Sequence, residues 1–279
     1  MSFEPGLEPA ADRLDPAYLF AFQENRLLVR FEEQGVEVPL IEELPRLGLD
    51  PTHRRFLGTL DGRGCFCAEL EAGHRLPPGL GLEPLRGLWA SLDEQLFWIA
   101  GRAFQIVDWE RNSRFCGRCG APTSDKPGER AKVCPACGSV HYPRICPAII
   151  VAITRADTIL LARARRFPQA LYSVIAGFVD PGESLEECVH REVQEEVGIA
   201  IEKLRYFGSQ SWPFPNSLMV AFTAEHAAGE ICIDRKELVD AGWYRADRLP
   251  RIPDRLSIAR RLIDWFLDRH SNNRGEQHS

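Results

Sequence analysis

The stretch that most constrains this chain runs from Gly177 to Ile199, GFVDPGESLEECVHREVQEEVGI. Asp180-Pro181-Gly182 predicts a turn. Ser184 and Glu187 stand at capping-box spacing, which starts a helix there, and Gly198 is placed to end it. Within that helix Glu192, Glu195 and Glu196 are related as i, i+3 and i+4, so three carboxylates share one face within one turn. Val189, Val193 and Val197, four apart, make an adjoining apolar stripe that predicts packing against a sheet. Three crowded anions repel one another unless cations join them, and hard oxygen ligands favour Mg²⁺ or Mn²⁺. Arg191 can balance part of the charge by pairing with Glu187 or Glu195. A solvated acidic face would account for the carboxylates alone. It would not account for the glycine, the capped turn and the Arg-Glu pair at their fixed offsets. Cys188, on the same helix, reads as small packing rather than as a nucleophile.

The second constraint is a pair of Cys-x-x-Cys-Gly knuckles, Cys116/Cys119 and Cys134/Cys137, separated by 14 residues. Each knuckle brings two thiolates to one side of a tight turn, and the following glycine lets the backbone close. Together they predict a closed four-sulfur site, for which Zn²⁺ is the expected occupant. With no coordination position left for water, its role is read as structural. The other cysteines of the nine, Cys65, Cys67, Cys146, Cys188 and Cys232, show no such pattern. That usage suits a reducing compartment, and a cytoplasmic location is expected.

At 279 residues the chain is long enough for more than one domain. Residues 1–110 are expected to form a separate N-terminal α/β domain. Asp61-Gly62 between two apolar runs predicts a hairpin, Pro77, Pro78, Gly79 and Gly81 break the chain, and helical spacing runs from Leu92 to Trp109. Residues 111–145 are short of apolar periodicity and hold the knuckles. In residues 146–270, strands are expected at Ile149–Ile153, Ile159–Ala162, Tyr172–Ile175, Leu218–Thr223 and Trp243–Tyr244, with a last helix through Leu256–Phe266. Residues 271–279 are expected to be a disordered tail. The net charge of −6 supplies no global basic field for nucleic acid or an anionic membrane. The acidic N-terminal stretch lacks the apolar core of a signal peptide, and no run approaches the roughly 20 apolar residues of a bilayer span. A cluster at Arg163, Arg165 and Arg166 suits phosphate or a solvated basic turn equally well.

The Gly177–Ile199 run fits G-x5-E-x7-R-E-U-x-E-E-x-G-U at Gly177, Glu183, Arg191, Glu192, Val193, Glu195, Glu196, Gly198 and Ile199, and so resembles the box of the Nudix hydrolases. Four further segments make the chain similar to the NADH pyrophosphatase branch of that family. They are the ribbon just upstream, His141-Tyr142-Pro143-Arg144, Ala176-Gly177-Phe178, and SQSWPFPNS at Ser209–Ser217. The likeness spans about residues 85–270. It implies an α+β fold in which a Nudix α/β/α sandwich joins a zinc ribbon and the N-terminal domain, and a homodimer; charge and the lack of an apolar run make no membrane attachment the expectation. It implies hydrolysis of NAD(H) to nicotinamide mononucleotide and AMP, and removal of NAD caps from RNA 5′ ends.

By the same resemblance the cation is held by Glu192, Glu196, the main-chain carbonyl of Ala176 and Glu237. Glu195 activates or orients the attacking water, although the spacing alone leaves the three helix glutamates interchangeable. Glu183 supports the loop and helix start. The resemblance places Arg86, Glu129, Tyr142, Phe178, Gln210, Ser211, Trp212, Pro213, Phe214, Pro215, Asn216, Ser217 and Ala259 around the substrate, with Tyr142 and Phe178 stacking on its rings. Trp212 and Phe214 between Pro213 and Pro215 predict a stiff aromatic loop. One departure is visible: Ser211 stands where the family usually carries proline. Competing readings are hydrolysis of another nucleoside diphosphate such as ADP-ribose or a dinucleoside polyphosphate, and a ribbon that binds nucleic acid beside a nucleotide-sensing domain.

Overall fold

The computed structural model describes residues 2–9, 16–43, 49, 54–71, 73, 76–165 and 170–271. The chain divides into two compact units, Met1–Arg144 with Pro213–Asn216, and Ile145–Trp212 with Ser217–Ser279.

The first unit is built on a seven-stranded sheet of β1 (Phe3–Pro5), β2 (Tyr18–Gln23), β3 (Arg26–Glu32), β4 (Gly35–Glu37), β5 (Arg55–Leu60), β6 (Arg63–Glu69) and β7 (Leu80–Pro84). Strand order is β1-β5-β6-β2-β3-β4, with β7 also pairing β3. The β5–β6 hairpin turns at Asp61-Gly62, both at positive φ (49° and 79°), as the Asp-Gly pair predicts. Helix α1 (Glu94–Asn112) starts at Asp93, whose carboxylate accepts from the main-chain N–H groups of Gln95 and Leu96. Gly81 does not break the chain. It lies within β7 opposite Val29, where the Phe31 ring fills the space a side chain would need.

The ribbon belongs to this unit: three two-residue strands, β8 (Ser124–Asp125), β9 (Lys132–Val133) and β10 (Val140–His141), form its sheet. Charged pairs fasten it to the larger sheet and to α1. Arg55 of β5 pairs with Asp125 at 2.5 Å, Lys132 with Glu110 of α1 at 3.3 Å, and Arg114 with Glu69 of β6.

The second unit is a six-stranded mixed sheet between two helices. Its strands are β11 (Cys146–Arg155), β12 (Thr158–Ala164), β13 (Ile175–Phe178), β14 (Ala200–Trp212), β15 (Ser217–Ala228) and β16 (Leu238–Arg245). The order is β14-β15-β11-β12-β16, with β13 also pairing β11. Strand alternation sends Ile149, Val151 and Ile153 of β11 to one face, against Val189, Val193 and Val197 of α2 (Leu185–Val197). Ile150 and Ala152 face the other way, against Leu262, Ile263 and Phe266 of α3 (Ile258–Ser271). This is the expected α/β/α sandwich, with a core on each side of the sheet.

Two expectations are corrected here. Tyr172–Ile175 is not the strand: Leu171 and Ser173 make only isolated bridges, and the ladder starts at Ile175 and carries Ala176, Gly177 and Phe178. The SQSWPFPNS segment is not one loop. Ser209–Trp212 end β14 and pair with Val220–Ser217, so only residues 213–216 turn. The expected tail lies, beyond Ser271, outside the described residues, as does Arg166 of the basic cluster. No helix among the described residues is long and apolar enough to cross a membrane.

Candidate active site and metal centres

Helix α2 forms as its sequence predicts. The Ser184 side chain accepts from the Glu187 N–H (3.2 Å) while the Glu187 carboxylate accepts from the Ser184 N–H (2.8 Å). Gly198 closes the helix in the left-handed conformation at φ 69°. Glu187 is thereby occupied, and Arg191 turns elsewhere. Its guanidinium donates to Glu183 (2.7 and 3.0 Å), Glu192 (2.9 Å) and Glu195 (2.9 Å), and to the Phe178 carbonyl (2.9 Å). Of the two partners that helical spacing offers, Glu187 and Glu195, Arg191 takes Glu195. The reach back to Glu183 ties the helix to the preceding turn, where Glu183 also accepts from the Asp180 N–H at 3.0 Å. Arg191 and the Asp180 N–H hold the Glu183 carboxyl down at about 2.

Glu192 and Glu195 occupy different surroundings. The Glu192 side chain is 12% exposed and lies across Gly177 of β13, in the space a Cβ there would fill. Burial raises its carboxyl above the ordinary range, and the charges of Glu195 and Glu237 add to the effect while Arg191 opposes it. Glu195 is 61% exposed and open to solvent. Glu196 is buried, at 9% exposure, near the end of the helix. Its main-chain carbonyl accepts from the N–H of Asp234 (3.0 Å), which begins the turn carrying Glu237.

The Ala176 carbonyl is positioned by ladder alternation. Val179 donates to the Pro147 carbonyl, and Gly177 and Ile175 lie opposite Ile149 and Val151. Ala176 and Phe178 therefore turn their carbonyls away from β11. Phe178 presents its own to Arg191 and to the Cys188 thiol, 3.3 Å away, so Ala176 shares the edge facing α2. No sequence signal announces these bonds, because a main-chain acceptor leaves no residue signature. Glu192, Glu195 and Glu196 thus share the later part of α2, the charge of Glu237 reaches Glu192, and Asp234 ties the turn before Glu237 to the helix end. Carboxylates and a carbonyl are the donor set a hard divalent cation takes, and the glycine at 177 leaves room for the Glu192 head group.

The residues expected around the substrate fall in both units. Phe178 projects an exposed ring from the end of β13, and Ser217 and Ala259 are buried. Gln210 is engaged with the start of α3. Its amide donates to the Leu256 carbonyl (2.8 Å) and accepts from the Ile258 N–H (2.7 Å), doing the work of a helix cap. Ser211 and Trp212 end β14. In the first unit, the exposed Tyr142 hydroxyl donates to Glu129 at 2.7 Å, and Lys126 pairs with Glu129 at 2.5 Å. Arg86 lies on a short 3-10 helix, Leu85–Ala90, and Pro213, Phe214, Pro215 and Asn216 form the turn grouped with this unit.

The two knuckles repeat one geometry. Cys116 N–H donates to the Ala121 carbonyl and Gly120 N–H to the Cys116 carbonyl, both at 2.8 Å. Cys134 with Ser139, and Gly138 with Cys134, do the same at 2.9 Å. The glycines stand at φ 74° and 73°. The four sulfurs lie within 4.8 Å of one another. Crowded thiols compete for charge. The N–H groups of Arg118 and Cys119 draw Cys116 down to about 5. Cys119, despite the Ala121 N–H, is driven up to about 12 by Cys134 and Cys137. A dication resolves that competition, and four thiolates fit Zn²⁺.

The NUDIX domain family matches residues 144–266, the NADH pyrophosphatase zinc ribbon domain 111–142, and the NADH pyrophosphatase-like rudimentary NUDIX domain 16–109. The NAD-capped RNA hydrolase NudC of Stutzerimonas stutzeri (strain A1501) is 47% identical over 238 residues, 85% of this chain and 86% of its own. The chain belongs to the NudC family of Nudix hydrolases. NudC of Pseudomonas fluorescens (strain Pf-5) is 43% identical over 90% of this chain and 87% of its own length. A solved NUDIX hydrolase from Nitrosomonas europaea is similar over 57% of this chain and 93% of its own, at 21% identity and a TM-score of 0.49. As a NudC-family member the chain is a Nudix pyrophosphohydrolase with a zinc ribbon.

Proposed function

We propose that this chain hydrolyses the diphosphate bridge of NAD(H), giving nicotinamide mononucleotide and AMP, and removes NAD caps from RNA, leaving a 5′-monophosphate. The observation that carries the reading is the buried Glu192 carboxylate laid over Gly177, with Glu195 held beside it by Arg191. In this reading Glu192, Glu196, Glu237 and the Ala176 carbonyl hold Mg²⁺ or Mn²⁺. When bound, the cation neutralises diphosphate charge and lowers the pKa of a water. Glu195, open to solvent, orients the attacking water and accepts its proton. Water oxygen bonds to one phosphorus as the bridging P–O bond breaks, so two monophosphates leave. Arg191 keeps Glu195 in place throughout. The exposed Phe178 ring offers a face for a base. Zn²⁺ in the ribbon is structural.

The names of the relatives and the complete glutamate set support hydrolysis over a sensing role. The deciding experiment is a hydrolysis panel with zinc-loaded protein on NADH, NAD⁺, ADP-ribose and NAD-capped RNA. NADH and capped RNA are expected to be cut between the phosphates. Preferred cleavage of ADP-ribose would replace this reading by the broader one. The same reading makes the protein a cytoplasmic homodimer, which light scattering and cell fractionation test.

A further inference from the structure

Glu237 differs from the helix glutamates in having no helix to hold it. It sits in a turn, residues 235–237, just before β16. Its place must therefore be fixed by bonds made to the turn itself. Part of the answer lies within the turn and at the helix end. Asp234 N–H donates to the Glu196 carbonyl (3.0 Å), Glu237 N–H to the Asp234 carbonyl (3.1 Å), and Lys236 N–H to the Asp234 carboxylate (2.8 Å).

The rest comes from Arg165, immediately beyond β12. Its main-chain N–H donates to the Glu237 carbonyl at 2.9 Å, and its Nε donates to the Arg235 carbonyl at 2.7 Å. A register shift between Arg163 and Ala164 makes this reach possible. Arg163 pairs with Asp240, but Ala164 pairs with Leu238, so the end of β12 is carried over the turn.

We propose that Arg165 is a positioning residue that straps the 235–237 turn and so holds Glu237 where the divalent cation binds. This rests on the proposed metal role of Glu237 and deepens it. Arg165 touches neither substrate nor cation. It acts through two carbonyls of the turn.

The test is Mn²⁺ binding to the zinc-loaded full chain, followed by electron paramagnetic resonance without substrate, for Arg165→Ala, Glu237→Gln and the double variant. Arg165→Ala keeps the main-chain bond and loses the side-chain one, so Mn²⁺ binding is expected to weaken about 3- to 10-fold, the scale of one such bond. The melting temperature of the metal-free protein and kcat at saturating Mn²⁺ are expected to stay near the parent's, separating positioning from general structure. Arg165→Lys is expected to recover part of the loss, and serves if the alanine variant does not fold. The double variant is expected to bind no more weakly than Glu237→Gln alone, because Arg165 works through that residue. Unchanged Mn²⁺ affinity in Arg165→Ala, or an additive loss in the double variant, overturns the strap. Unchanged affinity in Glu237→Gln instead overturns the metal role of Glu237 itself, and the strap with it.

Discussion

The Glu192 carboxyl group occupies the space in which a side chain at residue 177 would stand. The backbone at Gly177 is not in the left-handed region, so the conformation itself would accept any residue. Glycine is required there by contact. Gly177→Ala pushes the Glu192 head group off its site. Turnover is expected to fall by roughly 10²-fold, the scale of an ångström's misplacement at a reacting centre. Steady-state kinetics with NADH checks this, and a parental kcat would show that Glu192 is not needed where the structure has it.

Glu196 is the helix carboxylate most withdrawn from water. Glu196→Gln keeps its shape and removes its charge. The variant should fold and melt like the parent while losing more than about 10²-fold in kcat, the scale of one lost electrostatic stabiliser. Activity close to the parent's would contradict its place among the cation's ligands.

Acid should act on the two ends of this cluster in opposite senses. Glu192 is raised by burial, so protons compete with the cation above the usual carboxylate range. The acid limb of the rate profile is expected to move to lower pH as Mn²⁺ is raised. Because the ionised form of Glu192 is the disfavoured one, the gain in melting temperature on adding Mn²⁺ should grow as pH rises. Glu183 runs the other way. Its depressed carboxyl contributes stability that is whole above about 4.5 and is lost as pH falls through about 2. Thermal melts from pH 2 to 8, with and without MnCl₂, read both effects. A Mn²⁺ gain independent of pH would remove Glu192 from the cation's ligands.

Removing zinc should melt the ribbon and spare the glutamate chemistry. Metal binding by such a site is folding free energy, of order 10 kcal/mol in isolated fingers. A chelator strong enough to strip four thiolates is therefore expected to lower the first melting transition by many degrees. Fluorescence or calorimetric melts decide it. An unchanged first transition would mean that the ribbon holds itself together by other means.

Where local rules dictate the answer, the sequence was readable. The capping box at Ser184, the stop at Gly198, the valine stripe and the Asp61-Gly62 hairpin each depend on residues a few positions apart. The structure reproduces all four. What escaped depends on distant partners. Strand β14 takes thirteen residues with three register shifts against β15, so its burial does not alternate cleanly and period-two reasoning fails. Its end carries the proline and aromatic residues of SQSWPFPNS, which predict a loop. Arg191 was given Glu187 or Glu195 by helical spacing. Its bonds to Glu183 and Phe178 depend on how the turn folds back, which spacing does not encode. The sequence offers Arg165 phosphate or solvent equally, because its acceptors are main-chain carbonyls some seventy positions away.

The Arg55–Asp125 and Arg114–Glu69 ion pairs that hold the ribbon against its neighbours lie partly or largely in water. Dissolved salt weakens links of that kind, whereas sulfur–metal bonds ignore it. Grip and integrity of this small module therefore answer to different solution variables: ionic strength loosens the first, and chelators attack the second. A buffer chosen for one will not protect the other.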